Sequence, residues 1–553
     1  MTKLWVLFWI FSVLIFAIVI KLFFIQLIAP DRYQSNNYLQ TRKILPQRGK
    51  IFDGNLQPLV LNQTAYLLYA EPKKIIDKNE LIHKIDEILK IGEATLGGKI
   101  NNDKLWTLVV SGLDKKTKEA ISKLKLNGLG FEEESKRFYP EGSAAAHLLG
   151  FVGKNDKGEN IGYFGLEGYY EKDIAGLPGI LKTERDLFGN PIFIGVQSKL
   201  ESEDGRDLIL AIDKTAQQII KERLKSSLQK YGAKEGCVIV ANPMTLEIIA
   251  LSCLPDFDPE QYYKFSENYF RNPVTSNVYE PGSIFKPLIM AAALNEKVIK
   301  PTDMYDESGP VKIGGYEIQT WNKKYEGKIT MTRILEKSSN VGMVYVGQKL
   351  GEKKILSYLK QYGLGELTGI DLQGEASGFL KSEAEWYPID YATVTFGQGI
   401  VVTPIQMIRS FSSLINGGWL IKPRVVLEIG SSDKEKNQIK QQKIRRVIDE
   451  RTSILIKKML EATVEHGEIK WAKPKGYQIG GKTGTAQIPI EGHYDPTKTI
   501  ASFIGFAPVS EPKFIILVNL KEPSTSPWGS ETAAPLFFEI AKELLVYYNI
   551  APE

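Results

Sequence analysis

The chain has 553 residues, 43% of them hydrophobic and 24% charged, and a formal net charge of +5. That length calls for two or three domains, and the composition is that of a folded protein. The small net charge, with both signs interspersed, leaves no basic field demanding nucleic acid; four histidines and two cysteines show no zinc spacing, and nothing places a histidine near a serine elbow.

Leu4 to Ile20 is an uninterrupted uncharged run, and after Lys21 the apolar stretch continues to about Ala29. As a helix this crosses a hydrocarbon core of roughly 30 Å. A cleaved signal peptide has an apolar core of about 7–15 residues ahead of a small-residue cleavage site. The run here is longer, has no such site, and has no nearby cysteine for a lipid anchor. Residues 4–29 are therefore expected to form an uncleaved anchor preceded by a three-residue stub, 1–3. The flanking charges do not set its direction. Lys3 precedes it and Lys21, Arg32, Arg42, Lys43 and Arg48 follow, which on the positive-inside rule mildly opposes an external body.

Residues 30–204 read as a mixed, non-catalytic domain. Leu59-Val60-Leu61 and Ala65-Tyr66-Leu67-Leu68-Tyr69 suggest two short strands, and Ile75 to Ile91 and Lys115 to Leu126 have helical spacing. Arg137 to Gly142 carries turn signals. A second unit, 205–553, opens with Asp213 as N-cap of an amphipathic helix, Lys214 to Gln229. Strands Cys237 to Ala241 and Glu247 to Leu251 follow; strands Thr499 to Ala507 and Lys513 to Asn519 and a helix Thr532 to Tyr548 come at the far end. This arrangement predicts an α+β unit: one antiparallel sheet closed by distant segments and covered by helices. Ser431 to Arg451 reads as a solvated excursion. Cys237 and Cys253 flank the first hairpin, and both a cross-strand disulfide and two buried thiols stay open.

Three short motifs carry the chemistry. Ser283 begins a helix after the Pro281-Gly282 turn, and Lys286 follows one turn on, on the same face. The helix N-terminus and burial both disfavour a charged Lys286, and a neutral amine there takes the proton of Ser283, giving a serine nucleophile without histidine. Ser338-Ser339-Asn340 falls at a helix-to-helix turn, where a hydroxyl and an amide relay a proton and bind a substrate amide, or where a serine simply caps a helix. Gly480 to Ala486 holds Lys482-Thr483-Gly484-Thr485. Its small residues suit an edge strand that pairs with an extended peptide. Lys482 faces a carboxylate in this reading, and the amides of Ser283 and Thr485 form an oxyanion hole with Thr483 and Gly484 beside them. A phosphate loop is excluded because the following residues read as extended, whereas such a loop leads into a helix.

In order and context these motifs resemble the class B penicillin-binding proteins, the membrane-anchored D,D-transpeptidases of bacterial wall synthesis. Arg48-Gly49-Lys50-Ile51-Phe52-Asp53, Arg137 to Gly153 and Gly165-Leu166-Glu167-Gly168 resemble landmarks of the family's pedestal. Tyr279 to Ser283, Ser338 to Gly342, Phe396-Gly397-Gln398-Gly399 and Thr403 to Met407 are most similar to its division-type (FtsI-like) branch. The resemblance implies a five-stranded antiparallel sheet covered by helices (serine β-lactamase-like), a pedestal/dimerisation domain over 30–204 and a transpeptidase domain over 205–553. It implies attack by Ser283 on D-Ala-D-Ala stem peptides, with Lys286, Ser338, Asn340 and Lys482 catalytic, no metal or other cofactor, and inhibition by β-lactams. It implies an extracytoplasmic body on the cytoplasmic membrane, against the weak charge signal. It further implies a SEDS-family glycosyltransferase and divisome membrane proteins as partners, since no glycosyltransferase motif is present. Two departures from the β-lactamase pattern speak against a hydrolytic enzyme: Ser339 stands where S-D-N has aspartate, and no E-x-x-L-N motif follows. A D,D-carboxypeptidase, an elongation-type transpeptidase and an inactive divisome scaffold are the competing readings.

Overall fold

The computed structural model describes residues 2–28, 39–100, 106–156, 158–184, 197–431, 436–490 and 493–552. Ala29, where the anchor is expected to end, and Lys434 and Glu435 of the polar excursion lie outside the described residues. The chain divides into two compact units, one of residues 1–48 with 175–205 and one of 49–174 with 206–553.

In the first unit, Thr2–Phe23 is an α-helix continued by a π-helical turn, Phe24–Ile28. Lys3–Leu27 is long and apolar enough to cross a membrane and has none of its most apolar window buried, so hydrocarbon is the natural solvent for its surface. Strands Leu39–Ile44, Gly179–Glu184 and Gln197–Leu200 make a small antiparallel sheet.

The second unit begins on a seven-stranded sheet to which both ends of the sequence division contribute. Ile51–Phe52 lies between Pro58–Ala70 and Asp207–Leu210, and pairs with the latter in parallel. The two short strands expected around residues 59–69 are one strand of 13 residues. Asn62, Gln63 and Thr64 look like a break in sequence, but they pair in register with Arg137, Lys136 and Ser135 of Leu129–Phe138. The expected helices are present, shorter, as Lys78–Leu89 and Lys115–Lys123, capped by Asp77 and Asp114. The landmark motifs are structural here. Buried Asp53 accepts from the amides of Asn55 and Gln57 at 2.9 and 2.7 Å. Arg137 donates from Nε to Glu167 at 2.8 Å and from Nη1 to Asn62 at 2.7 Å, with both charged side chains buried. Glu167→Ala leaves that guanidinium buried without its carboxylate, and is expected to cost about 3–5 kcal/mol in urea unfolding.

The remainder of this unit is built on a five-stranded antiparallel sheet. Helix α1 (Lys214–Tyr231), N-capped by Asp213, precedes strands β1 (Glu235–Ala241) and β2 (Ile248–Leu254). Helices α2 (Lys286–Asn295), α3 (Asn340–Leu350) and α4 (Glu450–His466) come before β3 (Gly480–Ile490), β4 (His493–Ala507) and β5 (Phe514–Lys521), and α5 (Ala533–Tyr547) ends the chain. The strand order is β2-β1-β5-β4-β3, so β3 is an edge. Both faces are covered. Val238, Val240, Ile516 and Val518 pack with Ala216, Ile220, Phe537 and Leu544 of α1 and α5. Ile239, Ile515 and Leu517 belong to the opposite core, with Leu288 and Ile289 of α2. This is why β1 and β5 read as unbroken apolar runs rather than alternating ones. Every residue from Lys286 to Leu294 is buried, as suits a helix that is apolar all round.

The excursion at 431–451 is not wholly irregular: Asn437–Gln438 and Lys443–Arg446 are strands on the margins of other sheets, and Glu450 begins α4. Of the two options for the cysteines, the structure has the disulfide. Cys237 and Cys253 are cross-strand partners in the β1–β2 register, with Cα atoms 4.1 Å apart. The bridge closes a loop of sequence separation 16, for which chain entropy predicts about 3 kcal/mol of stabilisation. Reductant is expected to lower the thermal midpoint of the wild type and to leave a Cys237→Ala/Cys253→Ala variant unmoved.

Candidate active site

Ser283 sits in a 3-10 turn, Gly282–Phe285, that runs straight into α2. The expected single helix is thus tightened over its first turn. Pro287, in the first turn of α2, is at a position where its fixed φ suits the helix. Gly282 has φ +58°, and a Cβ there would lie 3.2 Å from the Thr485 carbonyl oxygen. Gly397 backs the same turn: its carbonyl accepts from the Gly282 amide at 3.0 Å, and a Cβ on it would come within 2.2 Å of the Gly282 oxygen. The Phe396-Gly397-Gln398-Gly399 motif therefore holds the Ser283 turn against its neighbour.

One turn behind Ser283, Lys286 is fully buried. Its Nζ donates to the Ser338 carbonyl at 2.6 Å and to Asn340 Oδ1 at 2.8 Å, and lies 3.1 Å from Ser338 Oγ. Burial, reinforced by the charge of Lys482, holds this amine well below the ordinary lysine range. The geometry suits a neutral amine: its two hydrogens meet two carbonyl-type acceptors, and its lone pair is left for a hydroxyl.

The turn between Met331–Glu336 and α3 assigns the cap to one serine of the pair. Ser339 is the N-cap and accepts from the Gly342 amide at 2.9 Å. Ser338 is free of that duty and stands in the left-handed region, φ +57°. Asn340 completes its hydrogen bonding by donating from Nδ2 to the Gln319 carbonyl at 3.2 Å.

Strand β3 forms one wall. A Cβ on Gly484 would meet Ile284 Cγ2 at 2.9 Å and Ser502 Oγ at 2.5 Å, so only a bare backbone lets the strand approach the Ser283 turn. Lys482 is buried and donates to Thr483 O and Oγ1, both at 3.2 Å. Desolvation lowers its pKa to about 8, against the opposing pull of Glu468. Thr485 Oγ1 accepts from the Gly529 amide at 3.0 Å.

A cleft of about 390 Å³ collects Ser283, Ser338, Asn340, Thr483, Gly484 and Thr485 in its lining. It thereby unites residues from three distant stretches of sequence. It also holds groups that sequence reading does not single out: Trp321, Trp471, Trp528, Glu468 and Glu531. Trp321 and Trp528 are in ring contact, centroids 5.2 Å apart. Burial pushes the Glu468 carboxyl up, and Lys482 and Lys286 pull it back down. The signal that would have found the tryptophans is their setting. Each lies in an irregular, polar stretch with no apolar period to bury it, and such aromatics are common at binding surfaces. Glu468 carries no comparable signal, because it follows α4 by two residues among other charged positions.

Comparison with known proteins gives the family. Residues 236–542 match the family model for the penicillin binding protein transpeptidase domain, and residues 43–210 match that for the penicillin-binding protein dimerisation domain. The chain is similar to stage V sporulation protein D of Bacillus subtilis (strain 168), 33% identical over 98% of this chain and 85% of that protein. It is similar to peptidoglycan D,D-transpeptidase FtsI of Escherichia coli (strain K12), 28% identical over 99% and 93%. In fold it is similar to penicillin binding protein 2X of Streptococcus thermophilus, with a TM-score of 0.76 and 24% identity over 92% of this chain and 80% of that one.

Proposed function

The chain belongs to the class B penicillin-binding proteins and is a serine-type peptidoglycan D,D-transpeptidase, and we propose that it acts through a Ser283 acyl-enzyme. The observation that carries this reading is the buried Lys286 amine, hydrogen-bonded to Ser338 and Asn340 one turn behind Ser283. Ser283 Oγ attacks the carbonyl carbon of the penultimate D-Ala of a stem peptide, and its proton passes to Lys286 Nζ. The amides of Ser283 and Thr485 stabilise the oxyanion. Lys482, with Thr483 and Thr485, receives the terminal carboxylate, and the donor peptide extends along β3 as an added strand beside Gly484. Lys286 Nζ passes that proton to Ser338 Oγ, 3.1 Å away, as Ser338 Oγ hands its own to the departing D-Ala nitrogen and the C–N bond breaks, leaving the ester and a neutral Lys286. An amine from a neighbouring stem peptide attacks that ester, gives up a proton along the same path, and releases Ser283. β-Lactams acylate the same oxygen and stay.

Residues 30–204 serve as the non-catalytic pedestal and 205–553 as the catalytic domain in this reading. The anchor holds the body outside the cytoplasmic membrane, with residues 1–3 in the cytoplasm. The Cys237–Cys253 disulfide supports that side, since such bonds persist in oxidising compartments. The work is septal wall synthesis during division, with a SEDS-family glycosyltransferase and divisome proteins as partners; the likeness of Tyr279 to Ser283 and Ser338 to Gly342 to the division-type branch supports it. Identity to a protein named for stage V of sporulation favours a second reading, wall synthesis during spore formation. A fluorescent fusion followed through growth separates these: septal enrichment in dividing cells is expected. A sidewall pattern, or a signal confined to sporulating cells, overturns the division role.

A further inference from the structure

The turn that serves Lys286 is itself held by a carboxylate that no motif marks. Glu307 ends the strand Met304–Glu307 and is completely buried. Its Oε2 accepts from Lys337 Nζ at 2.5 Å and from the Glu326 amide at 3.2 Å, and its Oε1 accepts from Ser339 Oγ. Lys337 and Ser339 are the residues on either side of Ser338. Glu307 thus pins both flanks of a serine in a left-handed conformation, φ +57°, which a non-glycine residue keeps only where its surroundings enforce it. Ser338 in turn presents its carbonyl and its hydroxyl to Lys286 at 2.6 and 3.1 Å.

We propose that Glu307 is a positioning residue for acylation: by gripping Lys337 and Ser339 it fixes the turn that aims Ser338 and Asn340 at the Lys286 amine. The proposal rests on the serine acyl-enzyme reading above. It also accounts for Ser339 in place of an aspartate. The carboxylate beneath the turn comes from a strand 32 residues upstream, and a hydroxyl at 339 is the group that can donate to it while still capping α3. A role in stability alone would require only the Lys337–Glu307 ion pair, with Glu326 at 3.7 Å from Lys337 as its outer member. The bond from Ser339 would then be dispensable.

Stopped-flow acylation of the full chain in detergent by a fluorescent penicillin separates pre-covalent binding from the acylation rate constant. Glu307→Gln is expected to lower the rate constant by about tenfold or more with binding little changed. Adding Ser339→Ala to Glu307→Gln is expected to cost less than the two single effects multiplied, as for residues on one path. Should Glu307→Gln fail to fold, Glu307→Gln/Lys337→Met removes both buried charges together and carries the test, with the same fall expected. A wild-type rate constant in either folded variant overturns the proposal. A wild-type chain that is not acylated at all would refute the acyl-enzyme reading instead, so the two failures are distinguishable.

Discussion

Ser283→Ala is expected to abolish covalent labelling by penicillin and to reduce D-Ala release from stem peptides by at least about 10⁴-fold, because removing a nucleophile leaves only binding and oxyanion stabilisation. The expectation is specific to this serine. Ser338 lines the same cleft, but it stands in a left-handed turn and accepts a hydrogen bond from Lys286 Nζ at its own carbonyl. Ser339 is committed to capping α3 and to Glu307. The substitution removes one oxygen at a position whose fold is set by Gly282 and Gly397, so thermal stability should be unaltered. Labelling of Ser283→Ala equal to that of the wild type would remove the nucleophile assignment and leave the cleft without one.

Lys286→Met is expected to lower acylation by about 10²–10⁴-fold, the range for loss of a positioned proton-transfer group. Methionine keeps much of the side-chain volume but leaves Ser338 O and Asn340 Oδ1 without this donor, so a thermal midpoint measured alongside separates the chemical loss from a structural one. The pH dependence follows from the two lysines. In the proposed mechanism Lys286 must be neutral to accept the proton, and its pKa is depressed by burial and by Lys482, so it is neutral already below the ordinary lysine range and is expected to form the acidic limb. Lys482 must be charged to hold a carboxylate, and it loses its proton at about 8, so the rate falls again as pH rises through that value. Lys482→Arg keeps its charge at every accessible pH and is expected to erase the alkaline limb while the acidic limb stays. An alkaline limb unchanged in that variant would mean that another group titrates.

Much of this site was legible because its parts are local. Ser283 and Lys286 are one helical turn apart, Asp213 is an ordinary N-cap, and the apolar runs of β1 and β5 announce strands buried on two faces. What escaped reading depends on distance in sequence. Pro58–Ala70 reads as two strands until Leu129–Phe138 supplies partners for Asn62 to Thr64. Glu307 has no local reason to stand out, because its partners Glu326, Lys337 and Ser339 all lie far along the sequence. The tryptophans of the cleft come from three loops whose convergence only the fold creates. Of the two readings of Ser338-Ser339-Asn340, the cap belongs to Ser339, which leaves Ser338 for the relay proposed above.

The most direct test of the acyl-enzyme account is the site of β-lactam attachment. The wild-type chain, treated with benzylpenicillin, digested and analysed by tandem mass spectrometry, should carry one penicilloyl group, on Ser283. An adduct on any other residue, or an unmodified Ser283 after prolonged exposure, would contradict it.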